Sequence, residues 1–291
     1  MSTPATLLRI EPRSTHWPRE LREIEAPPEN LWLRGRVEIL AQGPRIAVVG
    51  TRAPTPYGEA QAARFAAAFA RAGATIVSGL ARGIDQVAHR AVLRDGGATI
   101  AVLGCGVDRP WPSGDTADAL AERGLLLSEF QPGEAPKPHH FPLRNRVISG
   151  LCVGVLVVEA AQASGSLITA RWAVDQGRTV WALPGRVDHP MSRGTHRLLR
   201  EGATLVEDPE DVLLELGLSV AAPSETQTSE SSGGARRIFA ALRGETLSAE
   251  ELATRLGTPL TTILVELVTQ EMAGRIARTP GGLYRLLASD E

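Results

Sequence analysis

Lysine is almost missing from this chain: of 31 basic residues, Lys137 is the only lysine. Alanine is abundant, so the arginine bias reads as GC-rich coding, and arginine content by itself does not indicate nucleic-acid binding. A formal net charge of −2 argues against indiscriminate binding to polyanions. Cysteine is scarce too. Cys105 and Cys152 stand far apart in unrelated contexts, which excludes a disulfide framework and points to a reduced, cytoplasmic protein. No stretch approaches the roughly 20 apolar residues of a membrane helix. "MSTPATLLRIEPRSTHWP" lacks the charged-then-apolar order of a signal peptide, so no membrane association is expected. Two nucleotide signatures are absent. There is no G-x-x-x-x-G-K-[ST], and "GTRAPTPYG" contains no G-x-G-x-x-G. "GCGVDRPW" runs into Pro110 and Pro112 instead of a helix. ATP or NAD is therefore not expected, and the predicted cofactor set is empty. His139 and His140 diverge in an extended chain, and no Cys/Asp/His spacing completes a metal site.

What is present is a regular alternation. "RIAVVG", "ATIVSG", "ATIAVLG", "LLLSEF", "CVGVLVVEA" and "TVWALPG" are short apolar strands. Between them lie helical stretches such as "YGEAQAARFAAAFARAG", "IDQVAHRAVLRDGG" and "SLITARWAVDQGR". Buried strands alternating with helices predict a doubly wound α/β domain: an extended Rossmann-like, mostly parallel sheet over residues 45–218. Residues 1–44 are Pro-rich and weakly periodic, and read as an N-terminal extension packed on that core. Residues 219–234 are rich in Ser, Thr, Pro and Gly, the composition of a flexible linker. Residues 235–291 hold three short helices and a hairpin around Gly281-Gly282, which suggests a small winged-helix-like domain. Its second helix opens on a capping box, Ser248 with Glu251. Gly257 stops that helix and Pro259 starts the next. That third helix has no Arg or Lys until Arg275 and carries Glu266 and Glu271. A major-groove reader uses basic and amide side chains, so this domain is expected to be a protein-interaction or weak DNA module.

In doubly wound folds ligands sit beyond the carboxyl ends of the strands. The residues found there are Gly50, Thr51 and Arg52; Ser78, Gly79, Arg82, Gly83 and Asp85; Gly104, Gly106, Asp108 and Arg109; and Ser164, Gly165, Ser166 and Thr169. Glycines admit backbone amides to a ligand, hydroxyls donate hydrogen bonds, and arginines add charged forks, a combination suited to phosphate. From Arg45 to Val206 there are 18 Arg/Lys against 13 Asp/Glu, so a positive face is compatible with a near-neutral protein. Asp85, Asp108, Glu129 and Glu159 lie near the same edge. The favoured reading is that Asp85 caps or salt-bridges locally and Glu159 positions loop amides. Cys105, between two glycines, reads as a small buried residue.

"FPLRNRVISGL" brings Arg144, Asn145 and Arg146 to the threshold of an apolar run. The arginines could pair with Glu129 or Glu134, or cap a helix C-terminus. Alternatively, with the neighbouring "HHFP", they could hold a sugar–phosphate chain with exposed bases.

"VGTR", "SGLARGIDQVAHRAVL", "TIAVLGCGVDRPWP", "SEFQPGEAPKPHHFPLRNRVISGL", "SGSLITARWAVDQGRTVWALPG" and "GTHRLLREGATLVEDPEDVL" together resemble the DNA-processing protein A (DprA, or Smf) family over roughly residues 16–216. The C-terminal segment resembles an accessory domain of some members. The helical N-terminal domain of many members has no counterpart text, and the match begins near "HWPRELREI". The resemblance implies a non-enzymatic protein that binds single-stranded DNA and loads the RecA recombinase onto it in natural transformation, with single-strand-binding protein as a further partner. The implied DNA contacts are Arg52, Arg82, Arg144, Arg146 and the turn from Ser164 to Leu167. Many members place a basic residue at the start of that turn. This chain has Ala163 and Ser164, so that contact is either absent or supplied by Lys137 or Arg171. The family also implies a homodimer through "HRLLREGATLVEDPEDVLLEL", with His196, Leu199 and Leu205 as interface candidates. Two other functions fit the residues less well. One is a phosphoribohydrolase-like enzyme using Glu159 or Asp85 as acid. The other is a duplex reader built on the winged helix.

Overall fold

The computed structural model describes residues 7–218, 233–272, 274–279 and 281–287. They form two compact units, the first within 7–218 and the second within 233–287. In chain order the first unit comprises β1 (Leu8–Ile10), β2 (Leu31–Gly35), β3 (Arg45–Val49), α1 (Pro56–Arg71), β4 (Thr75–Ser78), α2 (Ile84–Arg94), β5 (Thr99–Val102), α3 (Asp115–Arg123), β6 (Leu125–Ser128), α4 (His140–Gly150), β7 (Gly154–Val157), α5 (Ser166–Asp175), β8 (Thr179–Ala182), α6 (Arg193–Arg200), β9 (Thr204–Leu205) and α7 (Pro209–Glu215). The strands form one nine-stranded sheet in the order β1-β2-β6-β5-β4-β3-β7-β8-β9. From β6 to β9 every pairing is parallel. The four-residue strands β4, β5, β6 and β7 are buried at every position, as strands covered on both faces are. On one face Phe65, Phe69 and Val92 pack against Val48, Ile76 and Trp181. On the other, Val147, Ile148 and Ala170 cover Val77, Val102 and Val155.

The N-terminal stretch is more than a packed extension. β2 pairs antiparallel with β6, and β1 pairs antiparallel outside β2. Leu31 and Leu33 are buried in the main core along with Leu21 and Ile39. Fully burying one such side chain contributes about 1.5–3 kcal/mol. The inward-outward alternation spans only Leu31–Leu33, too short for a periodicity to show in the sequence. Arg45, at the start of β3, ties the stretch down. It donates to Leu40 O and Leu151 O at 2.7 Å each and pairs with Glu20 at 2.6 Å.

His89 on α2 is fully buried and contacts Thr99 Oγ1 through Nδ1 at 2.8 Å. Thr99 gives its own hydrogen to Ile76 O, so His89 Nδ1 must donate, and Nε2 is the bare nitrogen. Nε2 is buried without a hydrogen-bond partner. Burial, with Arg144 adding repulsion, pushes the imidazole pKa down to about 3. The unfolded chain therefore binds a proton that the native state refuses. This contribution is fully present above the ordinary histidine range near 6.5 and is lost as pH falls toward 3. Between pH 7 and pH 5 it amounts to about 2 kcal/mol. Denaturant titrations should show His89→Asn losing that much less stability than the parent across this interval.

In the second unit α8 (Gly233–Ala241), α9 (Ala249–Leu256) and α10 (Leu260–Met272) pack around Ile238, Leu252, Ile263 and Leu267. β10 (Ile276–Arg278) and β11 (Tyr284–Leu286) form the antiparallel wing. α8 begins at Gly233, two residues before the expected boundary, and so takes in two glycines whose low helix propensity made them read as linker. The rest of the expected linker, 219–232, lies outside the described residues. The capping box is present: Glu251 N donates to Ser248 Oγ at 3.1 Å, and Ser248 N to Glu251 Oε2 at 2.7 Å. Gly257 ends α9 in the left-handed conformation, φ 58°.

Candidate functional site

The strand order reverses between β3 and β7, and at such a switch point the flanking turns diverge and leave a crevice. A pocket of about 660 Å³ opens there. Its walls come from the turns after β3, β4 and β7, and from one side of α4. Of the residues singled out from sequence, Gly50, Thr51, Arg52, Arg144, Asn145, Ser164, Gly165, Ser166 and Thr169 line it. Gly79, Arg82, Arg146 and Leu167 do not. Leu167 packs against the main core. Arg82 is exposed and follows the lining residue Ala81. The turn after β5 is not part of the wall. Asp108 there accepts from Gly133 N at 2.8 Å and 3.0 Å, and Cys105 is buried. Lys137 pairs with Glu134 at 2.5 Å.

The two arginines of α4 do different things. Arg146 forms a bidentate pair with Glu129, at 2.8 Å and 2.6 Å, and its side chain is 11 % exposed. It fastens α4 to the end of β6. Arg144 is buried beside the pocket. Its Nη1 donates to Gly79 O at 2.7 Å and to Val102 O, and its Nε donates to Asn145 Oδ1 at 3.0 Å. Gly79 lies outside the lining but makes room for this guanidinium. A Cβ at position 79 would sit 2.4 to 2.7 Å from the guanidinium atoms. Burial lowers the pKa of Arg144 to about 10, with Asp85 opposing the shift and Arg52 reinforcing it. At neutral pH Arg144 stays charged.

Asp85 holds the turn that faces Arg144. Its Oδ2 accepts from Gly79 N at 3.0 Å and Ala81 N at 3.3 Å. Between them Leu80 is fully buried at φ 60°, a left-handed conformation that a branched side chain adopts only under tertiary constraint. Burial raises the pKa of Asp85, while Arg144, the two amides and Ser78 oppose the rise. Glu159 is also engaged. Its Oε1 accepts from Thr55 Oγ1 at 2.6 Å and its Oε2 from Thr55 N at 2.9 Å. A Cβ on Gly58 would lie 2.1 Å from Oε2, so the carboxylate covers the first turn of α1. In dinucleotide-binding sheets the helix after the first strand offers that turn to phosphate. In this chain Glu159 occupies it. Both carboxylates thus follow the local roles expected from sequence.

The apolar part of the wall was mostly not legible in advance. Phe141, Pro138, Pro142, Ile148 and Ile168 line the pocket. Phe141 and Pro142 fall in the "HHFP" stretch and Ile148 in "FPLRNRVISGL", but only the ring of Phe141 carries a base-stacking reading. Its ring lies 5.9 Å from the Arg144 guanidinium. His140 turns inward instead, stacking on Phe130 at 3.9 Å with Nδ1 3.1 Å from Gly104 O. Ile168 stands 39 % exposed near the start of α5.

Taken together, the molecule is of the doubly wound α/β class, with an arginine-bearing cleft at the switch point and a separate winged helix. Residues 9–217 match the family model of DNA recombination-mediator protein A, and residues 222–282 that of the DprA winged helix domain. Protein Smf of Escherichia coli is 42 % identical over 284 residues, 94 % of this chain and 76 % of that one. DNA processing protein DprA of Streptococcus pneumoniae is 44 % identical over 201 residues, covering 68 % and 71 %. The X-ray structure of DprA from S. pneumoniae superposes with a TM-score of 0.69 over 72 % of this chain and 74 % of that one. DNA processing protein A of Helicobacter pylori, studied for its single-stranded DNA binding mode, is 30 % identical with a TM-score of 0.66 over 73 % and 96 %. The chain belongs to the DNA recombination-mediator protein A (DprA/Smf) family.

Proposed function

We propose that this chain binds single-stranded DNA in the switch-point pocket and, with no chemical step of its own, loads the RecA recombinase onto the bound strand during DNA uptake. One observation carries the reading: the pocket sets the cations Arg52 and Arg144 beside an apolar wall that includes Phe141 and Ile168. Phosphates take the guanidinium forks and the Gly/Ser turn, while unpaired bases lean on the apolar side, an arrangement suited to single strands. The structure of the H. pylori relative, concerned with single-stranded DNA binding, supports the same ligand. Glu159 is held by Thr55, and Oδ2 of Asp85 by the Gly79–Ala81 turn; both carboxylates have a local structural role, which favours a binding protein.

Single-strand-binding protein is a further partner on this reading, and the site of action is the cytoplasm. The copies pair through the end of the sheet around His196, Leu199 and Leu205, which would double the DNA groove. Leu205 stands 52 % exposed on the two-residue edge strand β9, and Leu199 is half-buried.

The test is a salt-titrated comparison of single-stranded and duplex DNA with the full chain. The expected result is a preference for the single strand, with log K falling by about 0.7 per log unit of salt for each phosphate held. Equal binding of duplex, or base release from nucleoside monophosphates abolished by Glu159→Gln, would overturn the proposal.

A further inference from the structure

The first turn of α6 stands against the wall of the switch-point pocket. Gly194 N donates to Ala160 O at 2.7 Å, and Ala160 N donates to Met191 O at 2.8 Å. A Cβ on Gly194 would lie 2.6 Å from Ala160 O and 2.8 Å from Ala161 O, and Ala161 lines the pocket. α6 therefore starts at the pocket's rim, where a glycine permits so close an approach. Arg193, just before that glycine, is exposed. Arg197 and Arg200 follow Arg193 at i+4 and i+7, both exposed. On a helix these three positions fall within about 60° of one another and span about 10 Å. They make one arginine ridge leading away from the rim. On the opposite side of the helix Gly194 and Thr195 are buried and Leu198 packs against the main core. Among the described residues neither Arg193 nor Arg200 has a side-chain hydrogen bond or an ion pair. Arg197 pairs with Glu201 at 2.7 Å, both about half exposed, and such a surface pair contributes little.

We infer that the arginine ridge of α6 is the track along which the phosphates of a single strand run once it leaves the pocket, with Arg193 supplying the cation that Ala163 and Ser164 lack. The inference rests on the function proposed above. Two things select a phosphate chain as the occupant. The ridge is continuous with the pocket through Ala160 and Ala161. The segments that meet there, 160–174 and 189–200, contain no Asp or Glu and carry Arg171, Arg193, Arg197 and Arg200. Of the two cations suggested by sequence for the vacant place, Lys137 is already held by Glu134 at 2.5 Å. Arg171 lies on α5, three positions beyond the lining residue Ile168. Arg193 comes from a different helix altogether, so only the folded chain brings it to the rim. An unpaired guanidinium gives up no protein partner when a phosphate arrives, and the gain is the release of counterions from the strand. The ridge presents no aromatic ring, so it holds the backbone without reading bases.

The test uses the full chain and two oligothymidylates, one of about 5 nucleotides and one of about 20, short and long against the usual single-strand site. Arg193→Ala/Arg200→Ala should bind the long strand about tenfold more weakly at low salt, with the salt slope flattened by about 1.4, the share of two phosphates. The short strand, which the pocket accommodates, should bind as it does to the parent. Arg193→Lys/Arg200→Lys should keep the parent slope, because the charge is kept. The ridge borders His196 and Leu199, so the titrations are repeated in a Leu205→Glu background, which removes sheet-edge pairing from parent and variant alike. The loss on the long strand should persist there. A parent-like slope on the long strand would overturn the inference and leave the ridge to an acidic protein partner. An equal loss on both lengths, or a loss that vanishes in the Leu205→Glu background, would overturn it as well. Arg144→Ala should weaken both lengths. Parent-like binding of both by that variant would sink the pocket reading while the slope measured at the ridge still stands, so the two proposals fail separately.

Discussion

Gly79→Ala should lower the affinity for single-stranded DNA as far as Arg144→Ala does, about tenfold or more, although it changes no charge. The new Cβ falls 2.4 Å from Arg144 Nη2 and 2.7 Å from Nη1, far inside contact distance. The backbone of residue 79 is clamped by Asp85, so the guanidinium has to move. It then loses its hold on Gly79 O and Val102 O and leaves the pocket wall. A charge-assisted hydrogen bond contributes about 1.5–3 kcal/mol, which sets the tenfold scale. Both variants should also flatten the salt dependence by about 0.7, the share of one single-strand phosphate. Because they disable the same group, the double variant should be no worse than either single one, a non-additivity that marks coupled residues. Fluorescence-anisotropy titrations at three salt concentrations read all of this. Additive losses, or a Gly79→Ala protein with parent affinity, would refute the account.

Arg146→Ala has the opposite profile. Its cost is about 3 kcal/mol of stability, because removing one member of a largely buried ion pair leaves the other charge unpaired. Glu129, its partner, is only 17 % exposed. For the main unit that corresponds to a fall in Tm of roughly 6–12 °C. Below the new Tm the affinity for single-stranded DNA should stay within about twofold of the parent, with an unchanged salt slope, since the side chain lies outside the pocket lining. The Glu129→Ala/Arg146→Ala protein should melt no lower than Arg146→Ala, because no charge is then stranded. Thermal unfolding paired with the same titrations distinguishes this structural role from a phosphate contact.

These two residues mark where sequence reading stopped. "RNR" identifies two arginines and an amide beside a buried segment, and leaves open whether they serve a ligand, Glu129 or a helix end. All three readings concern side-chain direction. Positions 144 and 146 are about 200° apart around a helix, so one can face the pocket only if the other faces away. That geometry appears only once the segment is known to be helical throughout. Gly79 shows the reverse case. It reads as a phosphate-turn glycine, and in the structure it clears space for an arginine 65 positions later.

Much was nonetheless determined by the sequence alone. The alternation of short apolar strands with helices specifies a doubly wound domain, since each strand is buried on both faces and must be covered by its connections. Ser248 and Gly257 mark the ends of α9, because caps are satisfied by residues within one turn. The glycine, hydroxyl and arginine content of the turns places candidate ligand groups at the strand edge. Tertiary structure decided the rest: that β2 extends the sheet antiparallel, that the turn after β5 stays out of the pocket, that Glu159 closes the first turn of α1, and that Arg144 but not Arg146 lines the cleft. Each of those depends on contacts between residues far apart in the chain, where no local spacing can record which partner a side chain will meet.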